Sequence, residues 1–181
     1  MSLNHIGTKN IETNRLLLRK FKEDEGKEIF ETWISDADVA KYMVWNSHND
    51  LEETNKWLEK SINKYNNNQI YNWGIELKEN NKLIGSISAS AFDNNNECYE
   101  IGYTIGKMYW NNGYATEALK AIIRFLNKEV GMSKFICRCA IENIASEKVI
   151  KKVGFKYKKK GKYSSLDGKR HFESNEYYLE I

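Results

Sequence analysis

The stretch Trp110-Asn111-Asn112-Gly113-Tyr114-Ala115-Thr116-Glu117-Ala118 decides how this chain folds. It follows a strand-like run from Glu100 to Ile105 and opens an apolar pattern at helical spacing, Leu119, Ile122, Ile123 and Leu126. A strand therefore runs into a tight turn, and the turn's amides become the first amides of a helix. Those amides have no partners within the helix, and the aligned peptide dipoles put partial positive charge there. Gly113 and Ala115 are small enough to let a phosphate come close to the backbone. The segment reads as a seat for a pyrophosphate.

Working outward, Arg15 to Arg19 reads as a short strand with Leu16 and Leu18 on one face and Leu17 on the other. Ile29, Phe30, Trp33 and Ile34 recur at helical spacing between Glu23 and Ser35, and Asp36 to Val44 reads as a short second helix. Asp50 opens another helix, with Glu53 placed to complete a capping box, and Trp57, Leu58, Ser61, Ile62 and Tyr65 form its apolar side. Three strands follow: Ile70 to Leu77, Leu83 to Ala91 after an Asn80-Asn81 turn, and Cys98 to Ile105 after a turn at Asp93 to Asn96. The helix from Ala115 to about Val130 stops at Gly131. Phe135 to Ile141 is a strand, Ala145 to Val153 a helix ended by Gly154, and Phe155 to Lys162 and Phe172 to Leu179 are the last strands. This order predicts a mixed α/β (α+β) domain, a sheet with helices packed against it, spanning residues 1–181 without a second domain.

The 181 residues suffice for one domain with a real core, and 41% hydrophobic with 29% charged residues is ordinary globular composition. A net charge of +3 does not demand a nucleic-acid partner. No apolar run is long enough to span a membrane, and no signal peptide opens the chain, which leads us to expect a cytoplasmic protein. Cys98, Cys137 and Cys139 lie on strand-like segments and read as buried, reduced thiols. His5, His48 and His171 are scattered, so no metal is expected. The run Lys156-Tyr157-Lys158-Lys159-Lys160 with Lys162 reads by alternation as a solvated strand face with Tyr157 turned inward. Glu117, in the first turn of the phosphate helix, would oppose a nearby phosphate and is expected to point away.

The Trp110–Ala115 segment closely resembles motif A of the GNAT (Gcn5-related N-acetyltransferase) family, whose pattern is Arg/Gln-x-x-Gly-x-Gly/Ala. Trp110 stands where that pattern usually has Arg or Gln. With the following Gly-Tyr-Ala-Thr-Glu-Ala, this is similar to the branch of ribosomal-protein N-terminal acetyltransferases. A second segment, Asn143-Ile144-Ala145-Ser146-Glu147-Lys148-Val149-Ile150-Lys151-Lys152-Val153-Gly154-Phe155, resembles motif B of the same family. The order of elements also matches the GNAT fold, a mixed, mostly antiparallel sheet. In that fold the strand ending near Ile105 and the strand starting near Phe135 splay apart, and acetyl-CoA lies between them.

The resemblance implies a site. Asn111, Asn112, Gly113, Tyr114, Ala115 and Thr116 would hold the pyrophosphate, the backbone of Tyr103, Thr104 and Ile105 would pair with the pantetheine, and Asn143 would bind the same arm. Lys148, Lys151 and Lys152 either help hold the 3′-phosphate or form a solvated helix face. Ser146 would lie near the thioester sulfur, as an acid for the departing thiolate or as a hydrogen-bonding residue only. Many family members carry a Tyr in this helix for that purpose, and here the matching position is Ile150. Glu100 would serve as general base or as an anchor for the substrate ammonium. Tyr42 and Trp45 would line the acceptor pocket, whereas Trp33 reads as core. The function implied is N-acetyl transfer from acetyl-CoA to a primary amine by direct attack. The acceptor would be a ribosomal-protein or other N-terminus, or a small-molecule amine. No nucleic acid and no membrane is involved, and a homodimer is compatible with the reading. The alternative is a catalytically silent CoA-binding regulator.

Overall fold

The computed structural model describes residues 3–93 and 98–181. Its strands are β1 Ile11–Glu12, β2 Leu16–Arg19, β3 Tyr71–Leu77, β4 Lys82–Ala91, β5 Cys98–Ile105, β6 Lys134–Ala140, β7 Lys156–Ser164 and β8 His171–Glu180. The helices are α1 Gly26–Ile29, continued as wider turns through Phe30–Ile34; α2 Ala37–Ala40; α3 Leu51–Asn63; α4 Tyr114–Phe125, continued through Leu126–Val130; and α5 Ile144–Val153. The strands form one eight-stranded sheet in the order β1-β2-β3-β4-β5-β6-β8-β7. Every neighbouring pair is antiparallel except β5 with β6. This is the mixed, mostly antiparallel sheet expected. The short β1 was not anticipated, because two residues carry no readable alternation. The turn read at Asp93 to Asn96 lies, beyond Asp93, outside the described residues.

Strand alternation sorts side chains onto two faces. Leu16, Leu18, Tyr71, Trp73, Ile75, Tyr99 and Ile101 pack under Ala118, Leu119 and Ile122 of α4 and Ile150 of α5. The other face carries a smaller cluster of Phe21, Ile29, Trp33, Ile34, Leu58 and Leu83, where α1 and α3 dock. Each of these large side chains contributes about 1.5–3 kcal/mol when fully buried. A bulge in β4 makes Ile84 an extra residue, since Leu83 pairs with Glu76 and Gly85 with Ile75. Ile84 and Ile87 thereby enter the same core although an odd number of residues apart. Gly85 is needed there: a Cβ would come within 2.1 Å of the Thr104 carbonyl oxygen.

The helix ends follow local chemistry. Asp50 Oδ1 accepts from the Glu53 amide at 2.8 Å, and the Glu53 carboxylate accepts from the Asn49 amide at 3.0 Å. The reciprocal cap forms, but its return bond lands one residue before the cap. Gly131 and Gly154 end the α4 and α5 segments in the left-handed region, at φ 86° and 110°.

Two expectations need correction. The helix read over Asp36 to Val44 forms only over Ala37–Ala40. Arg170 binds the carbonyls of Ala40, Lys41, Met43 and Trp45 and so holds the chain after Ala40 as a loop in place of the expected helix. Tyr157 is 55% exposed rather than turned inward. It shares a sheet face with Tyr177 and meets that ring edge-on at 6.0 Å, but β7 is the outermost strand and lies beyond the covered core. Of the lysines on this strand, Lys159 pairs with Glu176 and Lys162 with Glu173, while Lys158 lies over the Tyr178 ring. Among the described residues no helix is long and apolar enough to cross a membrane.

A cluster of charged groups sits inside the fold. The Arg19 side chain, 9% exposed, donates through Nε to Glu76 at 2.6 Å and through Nη2 to Glu25. Arg19→Ala would strand two buried carboxylates, so we expect a loss of about 3–5 kcal/mol in urea unfolding. A loss below about 1 kcal/mol would show that Glu25 and Glu76 are satisfied without it.

Candidate active site

β5 leads through a short turn at Lys107–Tyr109 into the segment that precedes α4. Trp110 anchors this turn, its indole N–H donating to the Ile105 carbonyl at 2.7 Å. Asn111 has φ 62°, a conformation Asn tolerates better than most residues, and Gly113 has φ 80°. Gly113 occupies the cap position of α4 and offers no side-chain acceptor. The amides of the first turn, at Tyr114, Ala115 and Thr116, are therefore left without a side-chain cap, at the positive end of the dipole. The turn into a helix read from the sequence forms, with its first amides uncapped by a side chain.

The structure adds a residue to this turn that sequence reading missed. Arg15, on the chain entering β2, donates through Nη1 to the Asn112 carbonyl at 3.0 Å and stacks on the Tyr114 ring at 4.5 Å. Its Nε and backbone amide also bind Glu117, at 2.7 and 3.0 Å, and Thr13 Oγ1 donates to the same carboxylate at 2.6 Å. Glu117 therefore points away from the helix amides, as expected. Burial alone would raise its pKa, but the hydrogen bonds from Thr13 and Arg15 hold the carboxyl below its ordinary value. Arg15 and Glu117 lie 102 positions apart, so no local pattern could have linked them.

The parallel ladder between β5 and β6 consists of Cys98 with Lys134, Tyr99 with Phe135, and Glu100 with Ile136, and then stops. β5 stays paired with β4 as far as Ile105, and β6 with β8 as far as Ala140. Only their mutually facing edges come apart, so a wedge opens beyond Glu100. Tyr103, Thr104 and Ile105 border it on β5; the Ile105 carbonyl is already engaged by Trp110. On the far side α5 begins at Asn143, whose Oδ1 accepts from the Ser146 amide at 3.1 Å. The Tyr103 hydroxyl lies 2.9 Å from Ser146 Oγ and 3.2 Å from the Ser146 carbonyl oxygen. Ile150, where many family members would have Tyr, is fully buried in the main core.

Glu100 sits at the base of the wedge on the opposite sheet face. Arg138 of β6 grips it in a two-point contact, Nε to Oε1 at 2.6 Å and Nη2 to Oε2 at 2.8 Å. Both side chains are 28% exposed, and Phe92 lies against the guanidinium at 5.5 Å. Tyr163, on β7, donates to the Tyr42 carbonyl at 2.7 Å. Burial pushes the Tyr163 phenol up to about 12, with Arg138 and Arg170 opposing that rise. Tyr42 and Trp45 lie on a loop stapled by Arg170 and by a bond from Asn46 to Asp167 at 2.8 Å. Trp45 also packs against the smaller hydrophobic cluster. Arg138, Tyr163 and Arg170 gave no signal in the sequence. Cys98, Cys137 and Cys139 are buried free thiols, and burial raises the pKa of each, which disfavours an acyl-cysteine route.

Comparison with known proteins agrees with this geometry. A family model described as an acetyltransferase (GNAT) domain matches residues 15–156. The N-acetyltransferase YnaD of Bacillus subtilis, itself uncharacterized, is 30% identical over 172 residues, covering 95% of this chain and 96% of YnaD. The crystal structure of a GNAT-family acetyltransferase from Bacillus anthracis is 29% identical, with a TM-score of 0.82 over 95% of this chain and 98% of its own. RimL, a ribosomal L7/L12 alpha-N-protein acetyltransferase in complex with coenzyme A, shares the fold at 20% identity, with a TM-score of 0.82 over 96% and 98% of the two chains. An uncapped turn before α4, a wedge between parallel strands and a family match over most of the length converge: the chain belongs to the GNAT family of acetyltransferases.

Proposed function

We propose that this protein transfers the acetyl group of acetyl-CoA to a primary amine by direct attack in a ternary complex, and that an α-amine at a peptide N-terminus is the preferred acceptor. The observation that carries the first part is the ladder ending at Glu100 and Ile136, next to an uncapped α4. The pyrophosphate rests on the amides of Asn111 to Thr116, with Arg15 bracing the turn. The pantetheine runs along Tyr103, Thr104 and Ile105 and meets Asn143. The thioester then lies near Ser146, which donates a hydrogen bond to the sulfur. The neutral amine nitrogen attacks the carbonyl carbon, the C–N bond forms, the C–S bond breaks, and the proton shed by the nitrogen passes through water to the departing thiolate, giving the free thiol of CoA. The free amides of the β5 edge hold the oxyanion. A thiol pKa near 8.5 makes thiolate a fair leaving group, so a hydrogen bond suffices there.

The Glu100–Arg138 pair supports the second part. A carboxylate with both oxygens taken by a guanidinium is poorly placed to collect a proton. A lysine-like amine, pKa about 10.4, costs roughly 4–5 kcal/mol to deprotonate near pH 7, whereas an α-amine, pKa about 8, costs only about 1. A site without a free base suits the second. The face around the pair also holds exposed Phe92 and Gly102 and half-buried Tyr163, and its two strand carboxylates, Glu100 and Glu176, are each paired with a cation, Arg138 and Lys159, which weighs against polyamines and aminoglycosides. RimL and the ribosomal-protein-serine acetyltransferase of Escherichia coli, the latter 30% identical over 74 residues, are named for protein acceptors. In this reading Glu100 and Arg138 orient the incoming chain between Tyr42 and Trp45.

Gly113→Val should weaken CoA binding at least about tenfold in calorimetry. The branched side chain both strains a φ of 80° and crowds the phosphate. Unchanged affinity would mean that the cofactor sits elsewhere. In a continuous thiol-release assay, peptides with free α-amines should react faster than lysine side chains at pH 7, and the gap should narrow as pH rises toward 10. Glu100→Gln should slow both amines alike and by less than about tenfold, short of the roughly 10²–10⁴ lost with a general base. A large loss confined to high-pKa amines would restore Glu100 as the base. CoA binding with no turnover on any amine would favour a regulator.

A further inference from the structure

We infer that Tyr103 is a positioning residue for Ser146: its hydroxyl crosses the wedge and turns the serine proton toward the thioester sulfur. The inference rests on the reading of the wedge as the acetyl-CoA site. Tyr103 lies beyond the last β5–β6 pair, so its backbone has already parted from β6. Its side chain points to the helix face of the sheet, beside Cys137 and Cys139. The hydroxyl there reaches Ser146 Oγ at 2.9 Å and the Ser146 carbonyl oxygen at 3.2 Å.

The proton inventory decides what this contact does. A phenol has one proton and a serine hydroxyl has one. If the phenol donates to the serine carbonyl, Ser146 Oγ can give its own proton to the phenol oxygen, and none faces the wedge. If the phenol donates to Oγ, the serine proton is free to point at the sulfur. A developing thiolate selects the second arrangement. The Ser146 backbone is held in place at the start of α5, its amide donating to Asn143 Oδ1 at 3.1 Å, so the hydroxyl stays within reach of Tyr103. Tyr103 remains a donor throughout, since burial pushes its phenol well above the ordinary range, and Ser146 opposes that only partly. It therefore supplies a hydrogen bond and no proton: the thiolate leaves stabilised by Ser146, and Tyr103 stays neutral. Ile150 has no polar atom with which to do this work. Tyr103, across the wedge on the same sheet face as α5, takes its place.

The test is a double-mutant cycle of Tyr103→Phe and Ser146→Ala, read as kcat and KM for acetyl-CoA, with CoA affinity by calorimetry. Tyr103→Phe keeps the ring and its packing. We expect kcat to fall about tenfold, the worth of one net hydrogen bond, with KM and CoA affinity within about twofold. Ser146→Ala should cost about as much, and the double variant little more than either. Unchanged kcat in Tyr103→Phe overturns the inference. So do additive losses, which would mean that the two hydroxyls act separately. Weakened CoA binding at unchanged kcat overturns it too, because Tyr103 would then only hold the wedge together. If the unsubstituted protein binds CoA but acetylates no amine, the proposed function fails and takes this inference with it. Turnover by that protein with an unaffected Tyr103→Phe variant sinks the inference alone.

Discussion

The contact between β5 and β6 is the constraint on which the rest of the site depends. It runs for three residue pairs and ends. Each strand is held along its outer edge, β5 by β4 and β6 by β8, so the right-handed twist of the sheet can act only by opening the inner seam. Backbone donors and acceptors along that seam need partners. An extended chain of amides, such as pantetheine, can supply them. Because α4 and α5 each follow one of the parted strands, both helix starts arrive at the open end of the seam. The uncapped amides of α4 and the Asn143–Ser146 cap of α5 therefore face the same space, and the two helices pack in one core.

Charge is managed around this opening by two arginines. Arg15 takes Glu117 out of the path of a phosphate, and Arg138 takes both oxygens of Glu100. As partly exposed pairs they add little to stability, about 0–1 kcal/mol each. Their effect is on orientation and field. The α4 end keeps the positive character of its helix terminus, with a 43% exposed guanidinium beside it. By contrast, the pair of carboxylates on Arg19 is fully inside the fold and belongs to its stability.

Much of the fold was legible. Helix stops at Gly131 and Gly154, the cap at Asp50 and the alternation through Trp73, Ile75 and Leu77 are each written within a few neighbouring residues. So is the turn at Gly113. The π-type widening after Ile29 and Phe125 and the two-residue β1 left no such trace. Tyr157 shows why alternation has a limit. It predicts which face a side chain takes, and cannot say whether anything covers that face at the sheet's edge.

The candidate site divides in the same way. The sequence alone determined that a strand would turn into a helix at Gly113 with free amides, because φ preference and helix periodicity act between adjacent residues. It could name Glu100, Ser146 and Tyr103, but not what each would touch. Arg138 reaches Glu100 from 38 positions away, and Tyr103 reaches Ser146 from 43. Tyr163 reaches Tyr42 across 121. Those meetings follow from strand register and from where the seam parts. Both are properties of the whole sheet packed between its helices, so only the tertiary structure decided them.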